Sequence, residues 1–228
     1  MPDPVFLITG ASSGIGAATA RHAADAGYRL VLAARSKDKL DALAEELGGA
    51  DRALAVSCDV TQFEQQEAMV GAALDAFGGI DVVFANAGFG AARGFLKETP
   101  ELWRDMVLTN VLGAAYTIRA SIPALKDSTG HLLLTSSVAG RRPLSGSLYS
   151  ATKHAVTAMA EAARQDLNDT GIRVTSIEPG MVDTPFFDNP VSNALQPDDI
   201  ARAVLYAIRQ PPHVDVNEIL IRPVSQPT

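Results

Sequence analysis

The segment from Tyr149 to Lys153, with the sequence YSATK, places a phenol and an ammonium group four residues apart. On a helix this spacing brings both side chains to one face, one turn apart. Neither group exchanges protons readily near neutrality by itself, because free Tyr and Lys titrate near ~10 and ~10.4. A fixed ammonium group in a poorly solvated cleft stabilises a phenolate, and lowering the pKa of Tyr149 from ~10 to ~7 requires about 4 kcal/mol. The pair is therefore predicted to act as one acid–base catalyst.

Short apolar, β-rich segments recur along the chain, separated by longer segments with helical periodicity. The apolar segments lie at residues 5–8, 29–34, 52–57, 81–85, 131–136, 173–177 and 218–221. Such segments are typical of strands in a parallel sheet that helices cover on both faces. The regular alternation of strands and helices indicates right-handed crossovers. We therefore expect an α/β fold in one domain, with a doubly wound, seven-stranded parallel sheet and helices on both faces.

Capping residues and periodicity locate the crossover helices. One helix is expected to begin after Ser36 and to end at Gly48, where glycine terminates the periodic pattern. Another is expected to begin at Thr61, because Glu64 follows three residues later in the arrangement of a capping box. Two longer helical regions run from about residue 100 to 124 and from about residue 148 to 168.

The composition restricts the class of protein. With 228 residues and 47% hydrophobic content, the chain is long enough for one domain with a full core. The formal net charge of -7 and the pI near 5.0 argue against a nucleic acid or an anionic membrane as partner. Cys58 is the only cysteine, which excludes an intramolecular disulfide and a multi-cysteine metal site, so no metal is expected. Because no segment resembles a signal peptide or a membrane span, we expect a soluble, cytoplasmic protein.

A glycine-rich turn, TGASSGIG, follows the first predicted strand. Gly10, Gly14 and Gly16 are placed where the chain must turn sharply and let a phosphate approach the backbone. A helix that begins near Ile15 would direct its free N–H groups and the positive end of its dipole at the anion. The GxxxGxG spacing differs from the GxGxxG of common dinucleotide sites, and a plain tight turn between strand and helix is the alternative interpretation.

The end of the second predicted strand bears on the choice of cofactor. Sites selective for NAD place an acidic residue here, roughly 20 residues after the glycine-rich turn, to bind the ribose 2′-hydroxyl. The chain has Arg35 instead, with no carboxylate between Ala33 and Ser36. A guanidinium group pairs well with a 2′-phosphate, so the sequence favours NADP(H) over NAD. A solvated charge at the end of the strand is the alternative explanation of Arg35.

Seven short motifs occur in a fixed order along the chain. They are TGASSGIG (9–16), CDV (58–60), NAG (86–88), TNVLG (109–113), SSVAG (136–140), YSATK (149–153) and PGMVDT (179–184). Each motif alone is modest, but in this order they resemble the classical short-chain dehydrogenase/reductase family over nearly the whole chain. The resemblance implies a single Rossmann-fold domain over residues 1–228 that binds NADP(H) and interconverts a small alcohol and its carbonyl compound by hydride transfer.

The resemblance also implies roles for matching residues. Asn110, Ser137, Tyr149 and Lys153 would form the catalytic group, in which Tyr149 is the general acid in reduction and the general base in oxidation. Lys153 would in addition hold the ribose hydroxyls of the cofactor. The residues implied to bind the cofactor are Gly10, Ser12, Ser13, Gly14, Ile15, Gly16, Arg35, Asp59, Val60, Asn86, Ala87, Gly88, Tyr149, Lys153, Pro179, Gly180, Val182 and Thr184.

Two adjacent serines compete for the catalytic position. Family spacing often places the catalytic serine 13 residues before the tyrosine, at Ser136, whereas the local pattern SxAG indicates Ser137. We favour Ser137, because a shift of one residue along a strand would turn the hydroxyl to the opposite face, while the following loop can lose a residue without such an effect. The Ser137 hydroxyl would bind the substrate oxygen beside Tyr149.

The substrate end of the sequence is less specific. The resemblance implies a substrate lid, short in this chain, at about residues 185–197. Phe186 and Phe187 either close over a small ligand or anchor this loop to the core. The segment VDVNEILIRPVSQ near the end resembles the NADP-dependent 3-hydroxy acid and serine-type dehydrogenase branch, whose members oxidise small polar alcohols of the hydroxy acid or amino alcohol type.

Charged side chains near these motifs give further hypotheses about the substrate. Arg93, Arg141 and Arg142 are candidates to bind a carboxylate, although a surface charge is the simpler interpretation of each. Glu178 and Asp183 border the nicotinamide motif, where they would favour an amine. The alternatives to a polar alcohol are a broad-specificity reductase of apolar ketones and a non-catalytic NADP-binding sensor. The two long helical regions resemble those that pair subunits in the family, which implies a homotetramer or homodimer.

Overall fold

The computed structural model describes residues 3–187 and 189–226. Within these ranges, seven strands form one sheet in the order β3-β2-β1-β4-β5-β6-β7, and every neighbouring pair is parallel. The strands are β1 (Val5–Thr9), β2 (Arg29–Ala34), β3 (Ala53–Ser57), β4 (Val82–Ala85), β5 (His131–Thr135), β6 (Arg173–Pro179) and β7 (Glu218–Ile221). Each strand coincides closely with a predicted apolar segment, so the predicted fold class is confirmed.

Helices connect the successive strands. They are α1 (Gly14–Asp25), α2 (Lys37–Glu46), α3 (Phe63–Phe77), α4 (Pro100–Val107), α5 (Ala114–Ser128), α6 (Leu148–Asp166) and α7 (Pro197–Ile208). A π-helical segment, Leu108–Gly113, joins α4 to α5, so the predicted long helix changes its hydrogen-bond register in the middle. No helix in the two described ranges has the length and apolar character needed to cross a membrane.

The capping box predicted at Thr61 is wrong. The Asp59 carboxylate binds both the backbone N–H of Thr61 (3.0 Å) and its hydroxyl (2.8 Å), which removes the threonine from the helix end. Such local bonds between side chain and backbone compete with capping. Helix α3 therefore begins later, at Phe63, after Gln62. Ser36 does precede α2 as predicted, but its side chain makes no capping hydrogen bond.

Helices cover both faces of the sheet, as the doubly apolar strand segments predicted. In β1, Phe6 and Ile8 face the layer formed by α1, α2 and α7, whereas Val5 and Leu7 face the layer formed by α3, α5 and α6. All four of these side chains are almost completely buried. This two-sided burial fixes the sheet between the helices and holds the ends of its strands in place.

The strand order reverses between β1 and β4, which creates a crevice at the carboxyl ends of the strands. The chain leaves β1 towards one helical layer and β4 towards the other, so the loops that follow these two strands separate. The predicted site residues follow β1, β2, β3, β4, β5 and β6 and therefore meet at this edge of the sheet. The predicted lid at 185–197 also follows β6, and all of it is described except Asp188, which lies outside the described ranges.

Candidate active site

A cleft of about 730 Å³ lies at the carboxyl edge of the sheet. Its walls come from the glycine-rich turn after β1, the ends of β2 to β6 and the start of α6. Every residue that the sequence assigned to the site lines this cleft, with the exceptions of Gly16 and Asn110. The sheet thus brings together side chains that are more than a hundred residues apart in the chain.

The glycine-rich turn forms one part of the wall. Gly10 has a φ of 67°, in the left-handed region that favours glycine. A Cβ atom at Gly16 would lie 2.3 Å from the carbonyl oxygen of Gly10, so α1 can pass this close to the turn only because the position has no side chain. Gly16 therefore lets α1 pack against the turn, although Gly16 itself does not line the cleft. Ser13 precedes α1 without a side-chain capping bond, which leaves N–H groups of the first turn available to an anion.

Asn86 fixes the turn to the neighbouring strands. Its Nδ2 donates to the carbonyl oxygen of Thr9 (3.1 Å), and its Oδ1 accepts a hydrogen bond from the hydroxyl of Thr135 (3.0 Å). These bonds connect the ends of β1, β4 and β5. Asn86 and the two residues that follow it, Ala87 and Gly88, form the floor of the cleft at the point where the strand order reverses.

The ends of β2 and β3 form the part of the cleft in which the sequence predicts binding of a 2′-phosphate. Arg35 lines the cleft, is exposed, and has no ion pair or side-chain hydrogen bond among the residues that the structure describes. Asp59 and Val60 lie in the same part of the wall. The Asp59 carboxylate is directed at Thr61, which occupies one of its oxygens with two hydrogen bonds. An anion can therefore approach the Arg35 guanidinium.

Tyr149 and Lys153 lie one turn apart on α6, as the sequence predicted. The Lys153 ammonium nitrogen lies 5.6 Å from the centroid of the Tyr149 ring and donates a hydrogen bond to the carbonyl oxygen of Thr135 (2.7 Å). Lys153 is buried, and this burial lowers its pKa to about 8. The ammonium group is therefore held in a fixed position beside the phenol by the end of β5.

Burial dominates the titration of Tyr149. Removal from water raises the pKa of Tyr149 to about 12, against a lowering by its hydrogen bond with Ser137. Lys153 is not among the groups that shift this pKa, because its ammonium is committed to the Thr135 carbonyl and lies over the ring. A pKa near ~7 beside a bound nicotinamide ribose stays a prediction. Tyr149 is protonated at neutral pH, which is the form that donates a proton.

The two candidate serines point in different directions. Ser137 faces Tyr149 closely enough to lower the pKa of the phenol, and its hydroxyl donates a hydrogen bond to the carbonyl oxygen of Pro179 (3.3 Å). Ser136 instead bonds to α6, through the carbonyl oxygen of Lys153 (3.0 Å) and the hydroxyl of Thr157 (2.6 Å). The change of direction between adjacent residues follows from their extended backbone at the end of β5. Of the two serines, only Ser137 acts on the pKa of Tyr149.

Asn110 lies behind the cleft wall, in the π-helical segment. Its Oδ1 accepts a hydrogen bond from the backbone N–H of Phe89 (3.0 Å), and its Nδ2 donates to the Phe89 carbonyl (2.9 Å) and to the hydroxyl of Thr152 (3.1 Å). These bonds use the side-chain amide to connect the loop after β4 with α6. A Cβ atom at Gly88 would lie 3.0 Å from Asn110 Oδ1 and 3.5 Å from Lys153 Nζ. Asn110 is thus positioned to brace the wall beside Lys153.

Aromatic side chains dominate the substrate end of the cleft. The Phe186 and Tyr149 rings meet edge to face with centroids 5.4 Å apart, and the Phe186 and Phe187 rings are 5.1 Å apart. Phe186 and Phe187 remain 42% and 37% exposed. They therefore do not anchor the loop to the core, and of the two alternatives left open by the sequence the structure favours rings that stand over the cleft.

The charged candidates for substrate binding are largely engaged within the protein. Arg141 pairs with the buried Glu178 (Nε to Oε2, 2.7 Å) and with Glu218, so neither Arg141 nor Glu178 is available to a substrate ion. Asp183 accepts a hydrogen bond from the backbone N–H of Val191 (3.1 Å). The hypotheses of a carboxylate clamp at Arg141 and of an amine site at Glu178 are therefore wrong. No cluster of three or more potential metal ligands occurs in the described part of the chain.

Three contributions to the site were not predicted from the sequence. The Thr135 carbonyl holds Lys153, and backbone groups carry no residue-type signal. Gln226 lines the cleft and accepts a hydrogen bond from the backbone N–H of Met181 (2.9 Å), although it lies far along the chain from every motif. Gly90 lies against the Phe186 ring, and the sequence shows only a glycine-rich segment, GFGAARG, after β4.

Comparison with known proteins gives consistent matches over the whole chain. The sequence model of a family described as short chain dehydrogenase matches residues 4–194. An uncharacterized oxidoreductase of Staphylococcus aureus (strain MRSA252) is 41% identical over 229 residues, which covers 98% of this chain and 99% of that relative.

Solved structures match with similar coverage. An alcohol dehydrogenase from the archaeon Thermococcus sibiricus, complexed with 5-hydroxy-NADP, superposes with a TM-score of 0.92 at 35% identity, over 99% of this chain and 98% of that chain. The closed form of a serine dehydrogenase complexed with NADP+ gives a TM-score of 0.90 at 31% identity, over 98% of this chain and 96% of that chain.

Proposed function

The chain belongs to the short-chain dehydrogenase family, and from this premise we propose that it is an NADP(H)-dependent oxidoreductase that interconverts a small alcohol and its carbonyl compound. The observation that carries the proposal is the position of Tyr149 beside Ser137, with the ammonium of Lys153 fixed one helical turn away. These groups lie in the wall of the cleft that also contains the glycine-rich turn. The proposed cofactor site and the proton donor therefore share one cleft.

The residues around the cleft fit a dinucleotide that carries a 2′-phosphate. The glycine-rich turn and the first turn of α1 offer backbone N–H groups to the pyrophosphate, and Arg35 offers an unpaired guanidinium to the 2′-phosphate. Lys153 would hold the ribose hydroxyls. Two structural neighbours are complexed with 5-hydroxy-NADP and NADP+, which supports the same choice here. When bound, the cofactor supplies or accepts the hydride.

The protein's own part in the reaction is proton transfer. In reduction, the Tyr149 hydroxyl donates its proton to the substrate oxygen while Ser137 holds that oxygen in place. The resulting phenolate is stabilised by the Lys153 ammonium. In oxidation the same groups act in the opposite sense. Burial raises the pKa of Tyr149 to about 12, so the phenol is protonated at neutral pH and can act as the general acid.

The proposal is tested by following NADPH consumption by absorbance with a panel of small ketones and aldehydes. Turnover with NADPH, and much slower turnover with NADH, is the expected result. The non-catalytic sensor is the competing function, and it would bind NADPH without consuming it under any of these conditions. Measuring NADPH affinity in the same samples separates the two, because a protein that neither binds nor consumes NADPH contradicts both.

An apolar carbonyl compound is the second candidate substrate. It is supported by the pairing of Arg141 with Glu178, neither of which lines the cleft, and by the aromatic side chains Phe89, Phe186 and Phe187, which do. The serine dehydrogenase neighbour supports the polar alternative. Arg93, which lines the cleft and has no ion pair among the residues described, is the remaining candidate to bind a carboxylate.

The two serines provide a matched pair of substitutions. Ser137→Ala is expected to lower kcat for ketone reduction by about 10–100-fold, because the substrate oxygen loses an oriented donor beside Tyr149. Ser136→Ala is expected to leave kcat within about threefold and to cost about 1 kcal/mol of unfolding free energy, because it removes the bonds to Lys153 and Thr157 only. Steady-state kinetics and urea unfolding check both results, and the reverse pattern would assign catalysis to Ser136.

A further inference from the structure

Phe186 crosses the substrate end of the cleft. It follows β6 in a short turn, in which the Thr184 hydroxyl accepts a hydrogen bond from the Phe186 backbone N–H (3.3 Å) and the Thr184 carbonyl accepts one from Phe187 (3.1 Å). The ring lies at 65° to the Tyr149 ring, with centroids 5.4 Å apart. Its tip reaches Gly90, in the loop after β4. Phe186 therefore connects two separate loops and covers the Tyr149 ring.

Gly90 makes this position of Phe186 possible. A Cβ atom at Gly90 would lie 2.4 Å from Cζ and 2.8 Å from Cε1 of the Phe186 ring, so any side chain here would displace the ring. The φ of Gly90 is not positive, and its backbone conformation does not itself require glycine. The space for a ring is therefore what glycine provides at this position. Phe186 contacts both Gly90 and Tyr149 and stays 42% exposed, and the cleft surface beside these three residues is called the aromatic slot.

Packing in the core does not explain Phe186. The ring is 42% exposed, so it gains only part of the free energy of a buried phenylalanine. Its ring contacts are with Tyr149 and with Phe187, itself 37% exposed. A ligand can displace or pack against such a ring at small cost. A poorly buried ring that fits a dedicated gap above Tyr149 is better suited to select ligands than to stabilise the fold.

Apolar side chains flank the aromatic slot. Phe187 packs on Phe186, and Phe89 precedes Gly90 in the loop after β4, which also carries the exposed Arg93. The carboxylate of Glu178 and the guanidinium of Arg141 bind each other and are not available to a ligand in the slot. A substituent that enters the slot therefore meets aromatic faces and edges and no free charge from these two groups.

We propose that Gly90 and Phe186 make the site selective for carbonyl compounds with a flat apolar group, such as an aryl ring, next to the carbonyl carbon. The inference rests on the proposed function, because the substrate oxygen must meet the hydroxyls of Tyr149 and Ser137. The substituent beside that oxygen then lies in the aromatic slot. A flat ring packs edge to face with Phe186 and Tyr149, whereas a puckered ring of the same carbon number is thicker and pushes Phe186 away.

The test compares acetophenone with cyclohexyl methyl ketone, which share a carbon skeleton and differ in whether the ring is flat. The kcat/KM for each is measured with saturating NADPH in the full-length protein and in the variants Phe186→Leu and Gly90→Ala. The unsubstituted protein is expected to prefer acetophenone about 10-fold, in line with a favourable aromatic contact. Both substitutions are expected to reduce the preference to about twofold or less, because one removes the ring and the other moves it.

The control is Phe95→Leu, the same substitution at an exposed ring that packs on Trp103 and does not line the cleft. It is expected to keep the full preference. NADPH affinity, measured for every variant, shows whether the cleft remains intact. If Gly90→Ala fails to fold, the preference of Phe186→Leu alone tests the inference. Equal kcat/KM for the two ketones, or an unchanged preference in Phe186→Leu, overturns the inference while leaving the proposed function standing. Absence of turnover with every carbonyl compound tried overturns the proposed function itself.

Discussion

Replacing Tyr149 by Phe is expected to lower kcat for ketone reduction by about 10²–10⁴-fold. The change removes the hydroxyl that lies beside Ser137 in the cleft and keeps the aromatic ring that packs against Phe186. Ser137 remains bonded, because its hydroxyl also contacts the Pro179 carbonyl and the backbone N–H of Ala139. The loss should therefore appear in the chemical step, and stopped-flow measurement of NADPH oxidation in a single turnover checks it.

Two further readouts distinguish a chemical defect from a structural one. NADPH affinity of Tyr149→Phe is expected to stay within about threefold, because most of the proposed cofactor contacts lie elsewhere in the cleft. Its free energy of unfolding is expected to change by less than about 1.5 kcal/mol, the usual range for one hydrogen bond. Full-speed reduction by this variant would contradict the assignment of Tyr149 as the proton donor.

Replacing Arg141 by Met is expected to lower the free energy of unfolding by about 3–5 kcal/mol. Glu178 is completely buried in β6, and Arg141 is the one cation that contacts its carboxylate among the described residues, at 2.7 Å from Nε to Oε2. Ser176 donates a second hydrogen bond to this carboxylate (2.9 Å), which does not neutralise its charge. A buried carboxylate without its cation is strongly destabilising, and urea unfolding followed by circular dichroism measures the loss.

The same ion cluster provides the controls. Glu218 also pairs with Arg141 but is 53% exposed, so Glu218→Gln is expected to cost less than about 1 kcal/mol. Combining Arg141→Met with Glu178→Gln is expected to recover a large part of the loss, because the double variant buries no unpaired charge. Equal effects of Arg141→Met and Glu218→Gln would show that the pair with Glu178 contributes no more than a surface ion pair.

The fold could be predicted from the sequence because its signals are local and repeated. The segment at residues 131–136 is apolar on both faces, and β5 is indeed buried from Leu132 to Leu134 between two helical layers. Caps were less predictable, because hydrogen bonds between nearby side chains decide them. Thr61 had the spacing of a capping box, but its hydroxyl donates to the Asp59 carboxylate and does not cap the helix.

The candidate site could be predicted only where residues act through short motifs. The glycine-rich turn and the pair on α6 were readable, since each requires particular residue types at fixed spacing. The partners of Arg141 were not readable, because Glu178 and Glu218 lie in distant strands that only the folded sheet brings together. The contact of Phe186 with Gly90 likewise joins loops nearly a hundred residues apart.

The acid–base chemistry shows what spacing alone does not predict. A lysine one turn from a tyrosine indicated a phenol whose pKa is lowered beside a bound nicotinamide ribose. In the folded protein, burial acts on both groups in the direction of their neutral forms, so that the pKa of Tyr149 rises to about 12 and the pKa of Lys153 falls to about 8. Distance along a helix does not reveal desolvation. The pair remains suited to proton donation, because Tyr149 is protonated and Lys153 is charged near neutrality.

The most direct test of Tyr149 as the proton donor is the pH dependence of kcat/KM for ketone reduction at saturating NADPH. Between about pH 6 and 8 both groups are in their active forms, so the rate should be level, and it should fall as Lys153 loses its proton near pH 8. Tyr149→Phe should lie far below this curve at every pH. A curve that instead falls through about pH 6.5, with the same shape and height in Tyr149→Phe, would show that another group, titrating like a histidine, donates the proton.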